Sequence, residues 1–253
     1  PSSWSCSHGV ERWRGDGGCR VAPEKGWHQR WRAPLREAVE WLAGELHAQY
    51  DREAGALLAD PWAARDACGE VDAHDGATTA AVVAAHAGRA LSDAEVVRSR
   101  ELLEMERNAL RLFTSCAWFF DDVGGLEPLQ VLRYAARAIE LSGAPPSLEE
   151  AFVQRLAAAT SNDPALGDAA RIYRERARPA LPPSVLVAGS YAAARGAVPG
   201  WPTDRAYAYD VEASGGDVSL THRRTGRAET FTVCVERPAA LQARVTVASA
   251  GSG

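Results

Sequence analysis

Two stretches of the sequence gather side chains able to do chemistry or to hold a substrate for it. Trp4-Ser5-Cys6-Ser7-His8-Gly9-Val10-Glu11-Arg12-Trp13 packs two indoles, an imidazole and a guanidinium into ten residues. Flat rings stack on the apolar faces of sugars, while Arg and His bond to hydroxyls. The same types also make an aromatic-anchored loop over a core, so both readings stay open. The second stretch is Phe113-Thr114-Ser115-Cys116-Ala117-Trp118-Phe119-Phe120-Asp121-Asp122, followed by Gly124-Gly125. Here aromatics leave a helix end and meet two carboxylates. Aromatic walls with a few convergent polar groups describe a ligand cleft. Adjacent aspartates point in different directions, so Asp121 and Asp122 are not by themselves an acid/base pair. Asp122 equally suits capping of the next turn, and one of Phe119 and Phe120 reads as plain core.

Other chemistries find less support. Cys6, His8, Cys19 and His28 are zinc-ligand types, but C-x-H-x(10)-C-x(8)-H is not a defensible zinc spacing, and no metal or other cofactor is expected. Gly124-Gly125 lacks the Lys and Ser/Thr of a phosphate-binding loop. There is no G-x-S-x-G elbow. His47, His74, His86 and His222 stand alone.

The elements that must position these stretches are mostly helical. Residues 1–33 form an irregular Trp-rich segment with no helical or strand period. Pro34 suits a first helical position, and Leu35, Val39, Leu42 and Leu46 continue at helical spacing to about Leu58. A short helix follows from Pro61 to Cys68. Residues 69–90 read as a loop with room for one short helix. Ser92 and Glu95 form a capping box that opens a helix carrying Leu102, Met105, Ala109, Leu112 and Cys116 on one face. Pro128 starts another, Ser147 and Glu150 cap a third, Pro164 opens one reaching Ala177, and Pro183 one reaching Arg195. After Pro199 the period changes to two. Strands are expected at 207–211, 217–221, 230–235 and 243–247, with turns at Ser214-Gly215-Gly216 and Arg224-Thr225-Gly226. The expected fold is mainly α, a bundle-like helical region over 34–196 followed by a small antiparallel sheet over 197–253.

Composition narrows the function classes. The chain has 253 residues, 46% hydrophobic and 24% charged, with 28 basic against 33 acidic side chains and a net charge of −5. Such a chain is globular and a poor nucleic-acid binder. No apolar run is long enough for a membrane span. Five cysteines, odd in number and unevenly placed, do not make a disulfide framework, and a cytoplasmic location is expected. The only methionine is Met105 and the first residue is Pro1, so a fragment with its upstream part missing is expected.

The motifs Trp4 to Trp13, Gly26-Trp27-His28-Gln29-Arg30-Trp31-Arg32-Ala33-Pro34-Leu35, Thr114 to Asp122 and Leu132-Arg133-Tyr134-Ala135-Ala136-Arg137-Ala138-Ile139 occur in order. Together they resemble the C-terminal half of bacterial glycoside hydrolase family 57-like proteins, a region called domain of unknown function 3536. Arg171-Ile172-Tyr173 and Arg178-Pro179-Ala180 continue the likeness, which fades in the strand region. The resemblance implies a retaining, amylase-like enzyme acting on α-linked glycans, with a two-carboxylate mechanism. Its nucleophile and general acid would lie on a barrel upstream in the same polypeptide, so no catalytic residue is expected in this chain. It also implies that Trp118 faces sugar, with Asp121 and Asp122 beside it; Trp4, His8, Arg12 and Trp13 complete the expected substrate-binding set. The alternatives are a non-catalytic carbohydrate-binding module and a structural accessory module. A family asparagine where His28 stands and a family cysteine where Gly17 stands further weaken the zinc pattern.

Overall fold

A computed structural model describes residues 9–70, 76–198, 204–239 and 242–250. Trp4, Cys6 and His8 lie outside the described residues. The described chain is mainly α, with a five-stranded antiparallel sheet at its C-terminal end. The helices are α1 (Arg32–Ala54), α2 (Pro61–Glu70), α3 (Gly76–His86), α4 (Asp93–Arg111), α5 (Leu126–Ser142), α6 (Pro146–Leu156), α7 (Ala169–Ile172) and α8 (Pro183–Ala197). No helix among the described residues is long and apolar enough to cross a membrane.

The chain divides into two compact units. The first comprises residues 1–65 and 101–178, the second residues 66–100 and 179–253. The α8 face carrying Val187, Ala188 and Tyr191 packs on Val211, Val218, Leu220, Phe231 and Val233 of the sheet. The last helix therefore shares a core with the strands.

In the first unit, Leu35, Val39, Leu42, Leu46 and Tyr50 form the buried stripe of α1. Their spacing of three and four keeps them on one face. Leu102, Met105, Ala109 and Leu112 of α4, Leu132 and Ala135 of α5, and Phe152 and Leu156 of α6 are also buried.

In the second unit, β1 (Arg205–Ala206), β2 (Tyr209–Ser214), β3 (Asp217–His222), β4 (Ala228–Ala239) and β5 (Gln242–Ser249) pair in chain order. Ser214 opposes Asp217, which leaves Gly215-Gly216 as a two-residue hairpin turn with Gly215 at φ 61°. Tyr207 sits at φ 54°, so the expected strand at 207 begins two residues later.

Three helix starts are set by local chemistry. The Ser92 amide donates to Glu95 at 2.9 Å and the Glu95 amide donates back to Ser92 Oγ at 3.4 Å, which is the reciprocal box expected. Ser147 caps nothing: α6 starts at Pro146 after Pro145, whose extended backbone ends the preceding turn. Pro164 does not open a helix either. Residues 161–167 form turns, and α7 starts after Asp168, whose carboxylate accepts the Arg171 amide at 2.9 Å. A π-turn over Tyr173–Ala177 continues α7, closed by the Arg178 amide on the Tyr173 carbonyl at 2.8 Å.

Candidate functional site

Between α4 and α5 runs the loop that carries the second aromatic stretch. A 3-10 turn over Ser115–Trp118 sets successive side chains about 120° apart. Trp118 points inward and is fully buried, and its indole N–H donates to the Arg32 carbonyl at 3.1 Å. Trp31, also fully buried, donates to the Asp121 carbonyl at 3.3 Å. The two phenylalanines point the other way: Phe119 is 36% exposed and Phe120 39%, edge to face at 5.2 Å. The tryptophan expected to face sugar is thus interior, and the residues read as partly core are at the surface.

The aspartates are both nearly buried, and their directions differ as adjacency demands. Asp121 reaches back in sequence and accepts the Val21 amide at 2.9 Å and the Ala22 amide at 2.6 Å. Asp122 reaches forward. One oxygen accepts Gly124 N at 2.7 Å and Ser161 Oγ at 2.8 Å, the other Asn162 N at 2.6 Å and Asn162 Nδ2 at 3.0 Å. Both carboxylates therefore act on the backbone, one as an anchor for residues 21–22 and one for residues 161–162. Asn162, missed in sequence, is the hub. It also donates to the His28 carbonyl at 2.9 Å and the Asp121 carbonyl at 3.2 Å, and accepts the His28 amide at 2.9 Å. The signal was the turn sequence Ser161-Asn162-Asp163-Pro164, whose side chains bond readily to nearby backbone.

The first stretch meets this loop. A 3-10 turn over Gly9–Trp13 holds Arg12, whose guanidinium lies 4.7 Å over the Phe119 ring. Such stacking leaves the guanidinium edge free for hydrogen bonds. Trp13 is half-buried and donates weakly to the Ser115 carbonyl at 3.4 Å. Of the expected set, Arg12, Trp13, Trp118, Asp121 and Asp122 converge here, and Trp4 and His8 fall outside the described residues. Arg32, the first residue of α1, is fully buried behind the loop and donates to the Cys19 and Phe120 carbonyls, each at 3.3 Å. Desolvation first, then repulsion from Arg12, pulls its pKa down to about 10, so it remains a cation at neutral pH.

Among the described residues, no three His, Cys, Asp or Glu side chains gather where they could hold a metal ion. A separate groove of about 480 Å³ lies between α1 and α6, over Trp41, Gln49 and Leu148, and includes none of the expected residues.

Residues 27–246 match the family described as a domain of unknown function (DUF3536), and the chain belongs to that family. No curated protein and no solved structure matches the chain.

Proposed function

We propose that this member of the DUF3536 family lines the sugar cleft of an α-glycan-processing glycoside hydrolase or transferase and carries out no bond chemistry itself. The supporting observation is the exposed Phe119–Phe120 pair on a rigidly anchored loop, flanked by Arg12 and Trp13. Rings already held in place lose little freedom when a sugar stacks on them, and a neighbouring guanidinium serves hydroxyls. In this reading Trp118, Asp121 and Asp122 position the loop and Phe119 and Phe120 meet the glycan. The enzyme is amylase-like and retaining, as the family 57 resemblance implies, with its nucleophile and general acid on an upstream barrel of the same polypeptide. A bacterial cytoplasm suits the exposed thiols of Cys116 and Cys234.

One observation favours a second reading, a structural accessory module. Asp121 and Asp122 spend their carboxylates on the protein's own donors. Calorimetric titration with maltooligosaccharides separates the two. Binding that drops at least about tenfold, or 1.4 kcal/mol, in the Phe119→Ala/Phe120→Ala variant with an unchanged far-UV spectrum supports the cleft reading. No binding of any α-glucan at millimolar concentration overturns it in favour of the accessory module.

A further inference from the structure

Four buried nitrogen atoms near the start of α1 have no hydrogen-bond partner: Arg12 Nε, His28 Nδ1, Gln29 Nε2 and Arg32 Nε. Gln29 and Arg32 are fully buried and Arg12 is 7% exposed. The bonds that Arg32 does make are long, 3.3 Å to two carbonyls and 3.5 Å to Gln29 Oε1. Ordinary N–H···O bonds are nearer 2.9 Å. Under-bonding at one buried donor is uncommon, and native proteins rarely leave several together.

The charges are also unbalanced. Arg12 and Arg32 lie close enough to repel each other. Asp121 is the buried carboxylate that acts on Arg32, and its oxygens are turned to the Val21 and Ala22 amides. Asp16 also acts on Arg32, but it is exposed and accepts the Gln29 amide at 3.1 Å. The one buried carboxylate beside Arg32 is thus already occupied by backbone amides, and Arg12 has no carboxylate partner among the described ion pairs. Arg12, Gln29 and Arg32 contribute only donors at the unpartnered positions. A metal cation is excluded by the two positive charges. A group with several acceptor lone pairs and about one negative charge fits, and guanidinium forks match such groups in shape.

We propose that Arg12, Gln29 and Arg32 form an oxyanion-binding site for the phosphate or carboxylate group of a ligand. Arg12 is the group that first meets the anion, because its guanidinium lies over the partly exposed Phe119 ring. Gln29 and Arg32 complete the cradle from behind. The site stands on its own donors and does not depend on the glycan reading.

The test uses the full chain, inorganic phosphate and acetate, with ionic strength held constant by chloride. Saturable binding of either anion by calorimetry, with a matching rise in melting temperature, is expected. The tighter of the two identifies the ligand group as phosphate or carboxylate. Arg12→Gln should weaken binding at least tenfold. Arg32 variants risk misfolding, so Gln29→Glu provides the independent check. It puts a carboxylate oxygen where Nε2 stands, and should abolish anion binding while raising the melting temperature. Absence of saturable binding in the wild-type chain overturns the proposal, as does a Gln29→Glu chain that melts lower and still binds. Maltooligosaccharide titrations of the same variants are read separately, so a failure here does not count against the aromatic pair.

Discussion

Replacing Asp122 with Ala tests whether this carboxylate is an anchor or a ligand contact. The side chain is 8% exposed and accepts from Gly124 N, Ser161 Oγ, Asn162 N and Asn162 Nδ2. Two of these donors have alternatives. The half-buried Ser161 hydroxyl can rotate its hydrogen to water, and Asn162 Nδ2 also donates to the His28 and Asp121 carbonyls. The Gly124 and Asn162 amides are left without their acceptor. A donor so stranded costs about 1–3 kcal/mol. The location is only part-buried, so the low half of the range applies to each, and Asp122→Ala should destabilise by about 2–4 kcal/mol. Asn keeps one acceptor oxygen and turns an NH₂ towards one of the two amides, so Asp122→Asn should cost about half as much. Equilibrium urea unfolding followed by tryptophan fluorescence measures both, because every tryptophan except Trp201 belongs to the first compact unit. The midpoint should fall with an unchanged slope. A change within about 0.5 kcal/mol for Asp122→Ala, the usual range for a surface substitution, would refute the anchoring argument.

Trp118→Ala removes a fully buried indole and its bond to Arg32, and should cost about 3–5 kcal/mol in the same assay; a loss below about 1 kcal/mol would mean the ring is not core. Gly226 lies at φ 76°, and an added Cβ would stand 2.5 Å from a guanidinium nitrogen of Arg100. That guanidinium is tied to the Arg223 and Arg224 carbonyls, so Gly226→Ala should destabilise the sheet unit by about 1–2 kcal/mol, seen as faster amide exchange in β3 and β4. Glu95 is held at about pKa 2, below its ordinary 4.5, by Arg89 first and then by the Ser92 cap. A depressed carboxyl stabilises the folded state fully above its unfolded pKa, and that contribution is lost as the pH falls from 4.5 towards 2. Carboxyl NMR should show Glu95 titrating in that low range and the first turn of α4 fraying with it; a midpoint near 4.5 in the folded chain contradicts the box.

How much of this was legible depends on how local the cause is. The α1 stripe, the Ser92–Glu95 box and the Gly215-Gly216 turn were readable because each is fixed by residues within a turn of one another. The α6 and α7 starts were misread because two local signals competed. Pro145-Pro146 precedes Ser147 and already breaks the chain, and Asp168 offers a carboxylate at a true first position while Pro164 sits inside a turn. At the site, the residue types were legible and their orientation was not. Nothing in Trp118-Phe119-Phe120 says which ring turns inward. That is decided by the 3-10 turn and by carbonyls 86 positions away at Arg32, a tertiary fact. The unpartnered donors were partly hidden: Arg12 stood out as a ligand-binding type, but Gln29 and Arg32 look in sequence like ordinary surface polar residues.

The adjacent pair Asp121-Asp122 links these observations. Consecutive side chains diverge, so one dipeptide can hold two segments that are far apart in sequence. Asp121 takes residues 21–22 and Asp122 takes residues 161–162, while Asn162 closes the gap between them through the His28 backbone. The residues just before the pair are thereby fixed at one end, and Trp118, sunk into the core, fixes them at the other. Phe119 and Phe120 stand between two clamps. They are exposed because their neighbours are not, and they are held still for the same reason. An exposed aromatic pair on a slack loop would collapse onto the nearest apolar surface. Clamped on both sides, it stays presented to whatever meets that face. Two aspartates with no bond chemistry of their own thus supply the order that a stacking surface requires.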